Sequence, residues 1–203
     1  MSRPLVPGLV AEGDTDEVFL GRVIARQLRD LTDLAPRSID VQSVQYSGCR
    51  MTRDDNRTGA AVEELAGDCH VIFLHSDHRE RDKADRLAAH LADRGVKRPI
   101  VSLVPVKETE AWLLVDPRVW ERVPGADTGV LPARPREAER IQDPKAVLRR
   151  VLAGVGHRKV GEHFAFAGDH VDLAVPAQLP AYATWLKATS DVLREQGFLG
   201  PSL

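Results

Sequence analysis

Glu12, His75, Asp77, Glu108 and Glu110 have the side chains and the placement for metal or acid–base chemistry. Glu12 follows the apolar run Leu9-Val10-Ala11, and His75 and Asp77 follow Val71 to Leu74, four apolar residues without a break. Glu108 and Glu110 come after the apolar segment Pro99 to Val106, in the stretch KETEAWLL. Each group therefore stands at the carboxyl end of a predicted strand, where the crossover loops of an open parallel sheet gather and ligands bind. Carboxylates brought together there repel and raise one another's pKa, so such a cluster is ordinarily held ionised by a divalent cation. His75 and Asp77 alternate across a strand end and reach one ion only if the strand frays into a loop. Ordinary roles compete at each position: a turn carboxylate at Glu12, a histidine with one satisfied hydrogen bond at His75, a helix cap at Asp77, a dipole-favoured first-turn carboxylate at Glu110.

The elements that must position these groups read as alternating strands and helices. A first strand runs over Leu9 to Ala11, beginning near Leu5, and a helix follows at once. Asp14 and Glu17 stand in capping-box register, and Leu20, Val23, Ile24, Leu28 and Leu31 form one apolar stripe ending before Pro36. Ile39 to Tyr46 alternates as a half-exposed strand, with Val44 out of step. The arginine-rich loop SGCRMTRDDNRT leads to a short helix from Gly59 to Ala66, and the unbroken apolarity of Val71 to Leu74 predicts a strand buried on both faces. A helix over Asp82 to Arg94 and a strand over Pro99 to Val106 complete an α/β core of residues 1–116. Residues 117–203 read as a helical C-terminal extension packed on that core. Its helices start with Asp-Pro pairs at Asp116-Pro117 and Asp143-Pro144, and the last runs from Pro180 to Gln196. The fold class is thus α/β: about four parallel strands with helices on both faces.

Composition bounds the function. At 203 residues, 43% hydrophobic and 29% charged, the chain has the make-up of a soluble domain with a substantial core. Two cysteines, Cys49 and Cys69, form neither a disulfide framework nor a ligand quartet, and with no bilayer-length apolar run and no secretory signal they predict a cytoplasmic protein without a membrane partner. A formal charge of −2 argues against nucleic-acid binding by bulk attraction. A local basic face is still available. Between Arg134 and Lys159 there are eight Lys/Arg, including Lys145 and Arg149, against three acidic residues. Lys107, Lys145 and Arg149, with Arg50 and Arg53 of the arginine-rich loop, are the candidate phosphate contacts.

Taken in order, EGDTDEVFL, the H-x-D of residues 75–77, VPVKETEAWLLVD and IQDPKAVL resemble a family of small, stand-alone bacterial Toprim-like proteins. That family is related to the OLD-family nucleases, and some relatives pair with ATPases in phage defence. The resemblance spans almost the whole chain. It implies a Toprim-like, Rossmann-like core and a divalent-metal-dependent nuclease acting on DNA or RNA, with Mg2+ or Mn2+ as cofactor and an ATPase as partner protein. Glu12 is similar to the family's general acid/base and also touches metal; Asp77 belongs to its metal-binding acidic pair. The sequence departs from the family's D-x-D: aligned on the strand, His75 stands at its first position and Asp77 at its second, and aligned one turn later Asp77 is first and Arg79 stands at the second, so either way one hard oxygen ligand is missing. Imidazole suits Mn2+, Fe2+ or Zn2+ better than Mg2+. A glutamate must supply the missing oxygen. In a helix starting near Lys107, Glu108 and Glu110 face different sides, and Glu110, in the T-E-A-W stretch, is preferred, while Trp112 reads as core. The expected metal set is therefore Glu12, His75, Asp77 and Glu110, with Glu12 and Asp77 catalytic.

Two other classes stay open. The imperfect D-x-D also suits a catalytically inactive Toprim-like binding or regulatory subunit, and acidic strand ends with a later lysine suit a phosphoacceptor receiver domain. DNA against RNA, the metal, the partner and the oligomeric state are not legible in the sequence.

Overall fold

The computed structural model describes residues 2–33, 35–76, 82–156 and 159–201. In chain order the first elements are β1 (Arg3–Leu5), β2 (Pro7–Val10), α1 (Asp14–Thr32), β3 (Ile39–Val41) and β4 (Gln45–Tyr46). Then come α2 (Asp55–Ala66), β5 (Val71–His75), α3 (Lys83–Ala92), β6 (Ile100–Leu103) and α4 (Glu110–Leu113). The C-terminal part is helical: α5 (Pro117–Glu121), α6 (Pro144–Val151), α7 (Val160–His170) and α8 (Pro180–Glu195), with short 3-10 turns between them.

Four strands form a parallel sheet in the order β4-β2-β5-β6, and β1 pairs in parallel with β3 alongside it. The register sets Val10 beside Leu74 and His75 beside Leu103, so the carboxyl ends of the three longer strands line up at one rim. β5 is buried on both faces, as its apolarity predicts. Val71 and Phe73 join the core beneath α1 and α8, whereas Ile72 and Leu74 join a second core under α2 and α3. Fully burying each such side chain is worth ~1.5–3 kcal/mol at most. The sheet is therefore α/β, with helices on both sides.

Several local expectations are corrected. The single strand over Ile39 to Tyr46 is two short strands in different ribbons, split where Val44 leaves the alternation and turns inward. The first helix starts at Asp14 with Gly13 as its cap and makes no side-chain cap. Asp14 is then a first-turn residue whose carboxylate pairs with Arg50, so no capping box with Glu17 forms. α2 begins at Asp55, four residues ahead of Gly59, because the Asp54 carboxylate caps it by accepting from Asn56 and Arg57 N–H groups. The Asp-Pro starts hold: Asp116 accepts from Arg118 N–H, and Asp143 accepts from Ala146 N–H at 2.8 Å.

No helix is expected from the sequence over α7, which packs along α1 with Phe164, Ala167 and Gly168 buried. At Gly168 an added Cβ would lie 2.9 Å from Arg22 Cβ and 3.0 Å from the Phe19 carbonyl oxygen. This glycine is a close-approach residue between two helices. Arg26 of α1 closes the contact by donating to the Gly168 and Val171 carbonyls at 2.8 and 2.7 Å, so a guanidinium satisfies carbonyls that the end of α7 leaves open. Trp112, as expected, is core. Its ring centroid lies 4.9 Å from that of Tyr182, which is 4.9 Å from Trp185, and the Tyr182 hydroxyl donates to Gln27 Oε1 at 2.9 Å. Apolar side chains from before and after residue 116 thus share one cluster.

Candidate functional site

A pocket of about 220 Å³ opens at the rim where β2, β5 and β6 end. It is lined by Glu12, Asp16, His75, Ser76, Pro105, Lys107, Glu108, Thr109, Glu110 and Lys145. Six sequence candidates therefore meet here: Glu12, His75, Glu108, Glu110, Lys107 and Lys145. Asp77 lies outside the described residues. The pocket is smaller than the ~300 Å³ lower bound of ordinary ligand sites, a size for an ion or a phosphate group.

Each lining group is placed by a short local rule. Glu12 is exposed, two residues past β2, and Asp16 sits in the first turn of α1, whose N-terminus is turned to the same rim because the strand feeds directly into the helix. His75 closes β5 and is buried. Its Nε2 is 3.0 Å from Thr109 Oγ1 and its Nδ1 is 3.9 Å from Asp16 Oδ2. The imidazole is thus within hydrogen-bond distance of the loop after β6 and faces Asp16 at the start of α1 across a longer, electrostatic separation. Lys107 has φ of 70°, a left-handed conformation that a non-glycine residue holds only when its surroundings enforce it. Its Nζ donates to Gln142 Oε1 at 2.6 Å, which ties the loop to the stretch leading into α6.

That conformation corrects the expectation for the two glutamates. Residues 107–109 precede α4, so helical spacing does not apply to them, and Glu108 and Glu110 both line the pocket. They differ in environment. Lys145 Nζ donates to Glu108 Oε1 at 3.0 Å, while Glu108 Oε2 is buried without a hydrogen-bond partner among the described residues. Glu110 is 7% exposed, and burial lifts its pKa above the ordinary 4.5; its own N–H and Lys145 oppose the rise, and Asp16 and Glu108 add to it. Burial works against the Lys145 charge, but the Glu108 hydrogen bond and the carboxylates of Glu110, Glu108 and Asp16 prevail and hold its pKa above the usual lysine value.

Four carboxylates thus face two ammonium groups in one pocket. The excess of negative charge, the hard oxygen donors and the buried Glu108 oxygen fit a divalent cation. Among the described residues, no three His, Cys, Asp or Glu side chains are gathered closely enough to hold one ion. Asp16, Ser76 and Thr109 were missed by the sequence reading. Asp16 had a signal, four residues after Glu12 and in the first turn of the helix leaving the strand; Ser76 and Thr109 had only their place beside candidates.

The remaining basic candidates lie apart. Arg149 lines an adjoining cavity that shares Glu110 and Lys145 with this pocket. Arg50 is paired with Asp14, and Arg53 is exposed and lines neither cavity. Both cysteines are free, Cys49 exposed and Cys69 buried. Among the described residues no helix is long and apolar enough to cross a membrane. Comparison of the chain with protein-family models, curated proteins and solved structures returns no significant match.

Proposed function

We propose that the pocket hydrolyses phosphodiester bonds of DNA or RNA with a divalent cation, as the resemblance to Toprim-like nucleases implies. The observation that carries this is the meeting of Glu12, Asp16, Glu108 and Glu110 with Lys107 and Lys145 at one rim of a parallel sheet. Glu12 and Glu110 are the described residues that would offer carboxylate oxygens to Mg2+ or Mn2+, and Asp77, a sequence expectation outside the described residues, would complete the set. Such an ion supplies Lewis-acid polarisation of the phosphoryl group and a more acidic water. Lys107 and Lys145 offer point charges to the non-bridging phosphate oxygens. Glu12, exposed at the mouth, takes the proton of the attacking water. His75, braced by Thr109, faces Asp16. An ATPase partner and a place in phage defence or repair follow from the resemblance alone.

The test is cleavage of end-labelled single- and double-stranded DNA and RNA by the purified protein with Mn2+, Mg2+ or EDTA. Metal-dependent cleavage that disappears in both Glu12→Gln and Asp77→Asn, with the melting temperature kept, is expected. Cleavage retained by both variants would refute the site.

A second reading, a catalytically inactive binding subunit, has one observation in its favour. Lys145 already neutralises Glu108 at 3.0 Å, and the described donors do not gather in threes. It predicts nucleic-acid binding without metal-dependent cleavage and without a thermal shift on adding Mn2+.

A further inference from the structure

Beside the acidic pocket lies a second cavity of about 430 Å³ between α6, α7 and the start of α1, within the ~300–1,000 Å³ range of small-molecule sites. Its wall is mainly apolar, made by Leu148, Leu152, Val155, Val160 and Phe164. Val160 is 59% exposed, unusual for a large apolar side chain on this molecule, where Tyr46 is the other exposed large hydrophobic among the described residues. Polar groups punctuate the wall: Thr15, His163 and Arg149. Two residues, Glu110 and Lys145, line both cavities. Lys145 and Arg149 are one turn apart on α6: Lys145, paired with Glu108, stands where the two cavities meet, and Arg149 lines the apolar one.

We propose that this cavity receives the unpaired base of the nucleotide next to the phosphate held in the acidic pocket, which makes the substrate single-stranded nucleic acid. The proposal deepens the phosphodiesterase reading and rests on it for the position of the phosphate. Continuity decides the occupant. A group that enters the apolar cavity while attached to an anion at Lys145 must present a flat or compact body joined to a phosphate by a short linker, and a nucleotide, whose base is joined to its phosphate through the sugar, has that construction. Arg149 at the wall supplies charge for the next phosphate, and His163 and Thr15 offer polar edges to the base. A paired, stacked base cannot enter a concave site of this size, because its faces and its hydrogen-bonding edge are already covered inside the duplex. An unpaired base meets no such obstacle, and its burial against apolar walls is tolerant of sequence.

Equilibrium binding in EDTA by fluorescence polarisation tests this, with three probes. These are a labelled single-stranded 12-mer, the same strand annealed to its complement, and the same strand with abasic residues throughout. The single strand is expected to bind at least about tenfold more tightly than either of the others, the size of one base–side-chain stacking contact. Val160→Asp, at an exposed position, is expected to remove that discrimination while leaving circular dichroism and melting temperature unchanged, and Leu152→Asp gives a second substitution on the same wall. Equal affinity for single strand and duplex, or discrimination that survives in both folded variants, would overturn the proposal. Mn2+-supported cleavage followed in parallel separates the two ideas. Cleavage without strand discrimination refutes the base cavity alone; discrimination without cleavage refutes the nuclease reading and leaves the cavity standing as a nucleotide site.

Discussion

Replacing Glu110 by glutamine separates the cost of the site from its use. Glu110 is buried and its folded-state pKa lies above the ordinary 4.5. A carboxyl of this kind favours the native state when protonated, so its contribution is fully present below pH 4.5 and is lost as the pH rises through the folded value. Above pH 4.5 the unfolded chain ionises this carboxyl more readily than the metal-free native protein, which holds it buried near Asp16 and Glu108, and the difference counts against folding. Glu110→Gln removes that cost at nearly constant volume. It should stabilise the metal-free protein at neutral pH by about 0.5–2 kcal/mol, the usual gain when a functional group is traded for stability. At ~2–4 °C per kcal/mol for a chain of this length, the melting temperature should rise by about 1–8 °C. The gain should vanish below about pH 4, where both proteins hold a neutral group.

Metal should reverse the ranking. At 100 times its dissociation constant, Mn2+ stabilises the wild type by ~2.7 kcal/mol, or about 5–11 °C. Loss of a carboxylate ligand should weaken binding at least as much as loss of an outer-shell partner, about 100-fold at the upper end. At the same free Mn2+ the variant then gains only ~0.4 kcal/mol, about 1–2 °C. Differential scanning fluorimetry of both proteins between pH 4 and 8, with and without Mn2+, reads all of these. An unaltered Mn2+ shift in Glu110→Gln, or a variant less stable than wild type in EDTA at pH 7, would refute the argument.

Other perturbations follow from the same geometry. Thr109→Val leaves the His75 Nε2 side of the 3.0 Å contact without its hydroxyl and should cost about 1–3 kcal/mol in denaturant unfolding, with no effect on the strand preference of the apolar cavity. Lys145→Ala should reduce the slope of log affinity against log salt for a single strand by ~0.7, the signature of one lost phosphate contact; an unchanged slope would place Lys145 off the backbone path. Gly168→Ala forces a methyl group against Arg22 and the Phe19 carbonyl and should destabilise the protein by about 1–3 kcal/mol, which chemical denaturation would detect.

The sequence by itself determined the alternation of strands and helices, the burial of Val71 to Leu74 on both faces and the Asp-Pro helix starts, because periodicity, unbroken apolarity and capping are properties of neighbours along the chain. It also placed Glu12, His75 and Glu110 at strand ends, which a parallel sheet must bring to one rim. Only the tertiary structure decided the rest. Helix α7 hides in a segment with Gly161 and Gly168, and Gly168 makes sense only when the backbone of α1 lies against it. Glu108 and Glu110 share a pocket because Lys107 takes a left-handed turn, which no local pattern announces. Asp16 and Thr109 acquired roles only when His75 was found between them, and Lys145 reached Glu108 from 37 residues away. Such contacts depend on side chains from separate elements meeting in space, and a one-dimensional pattern carries no record of them.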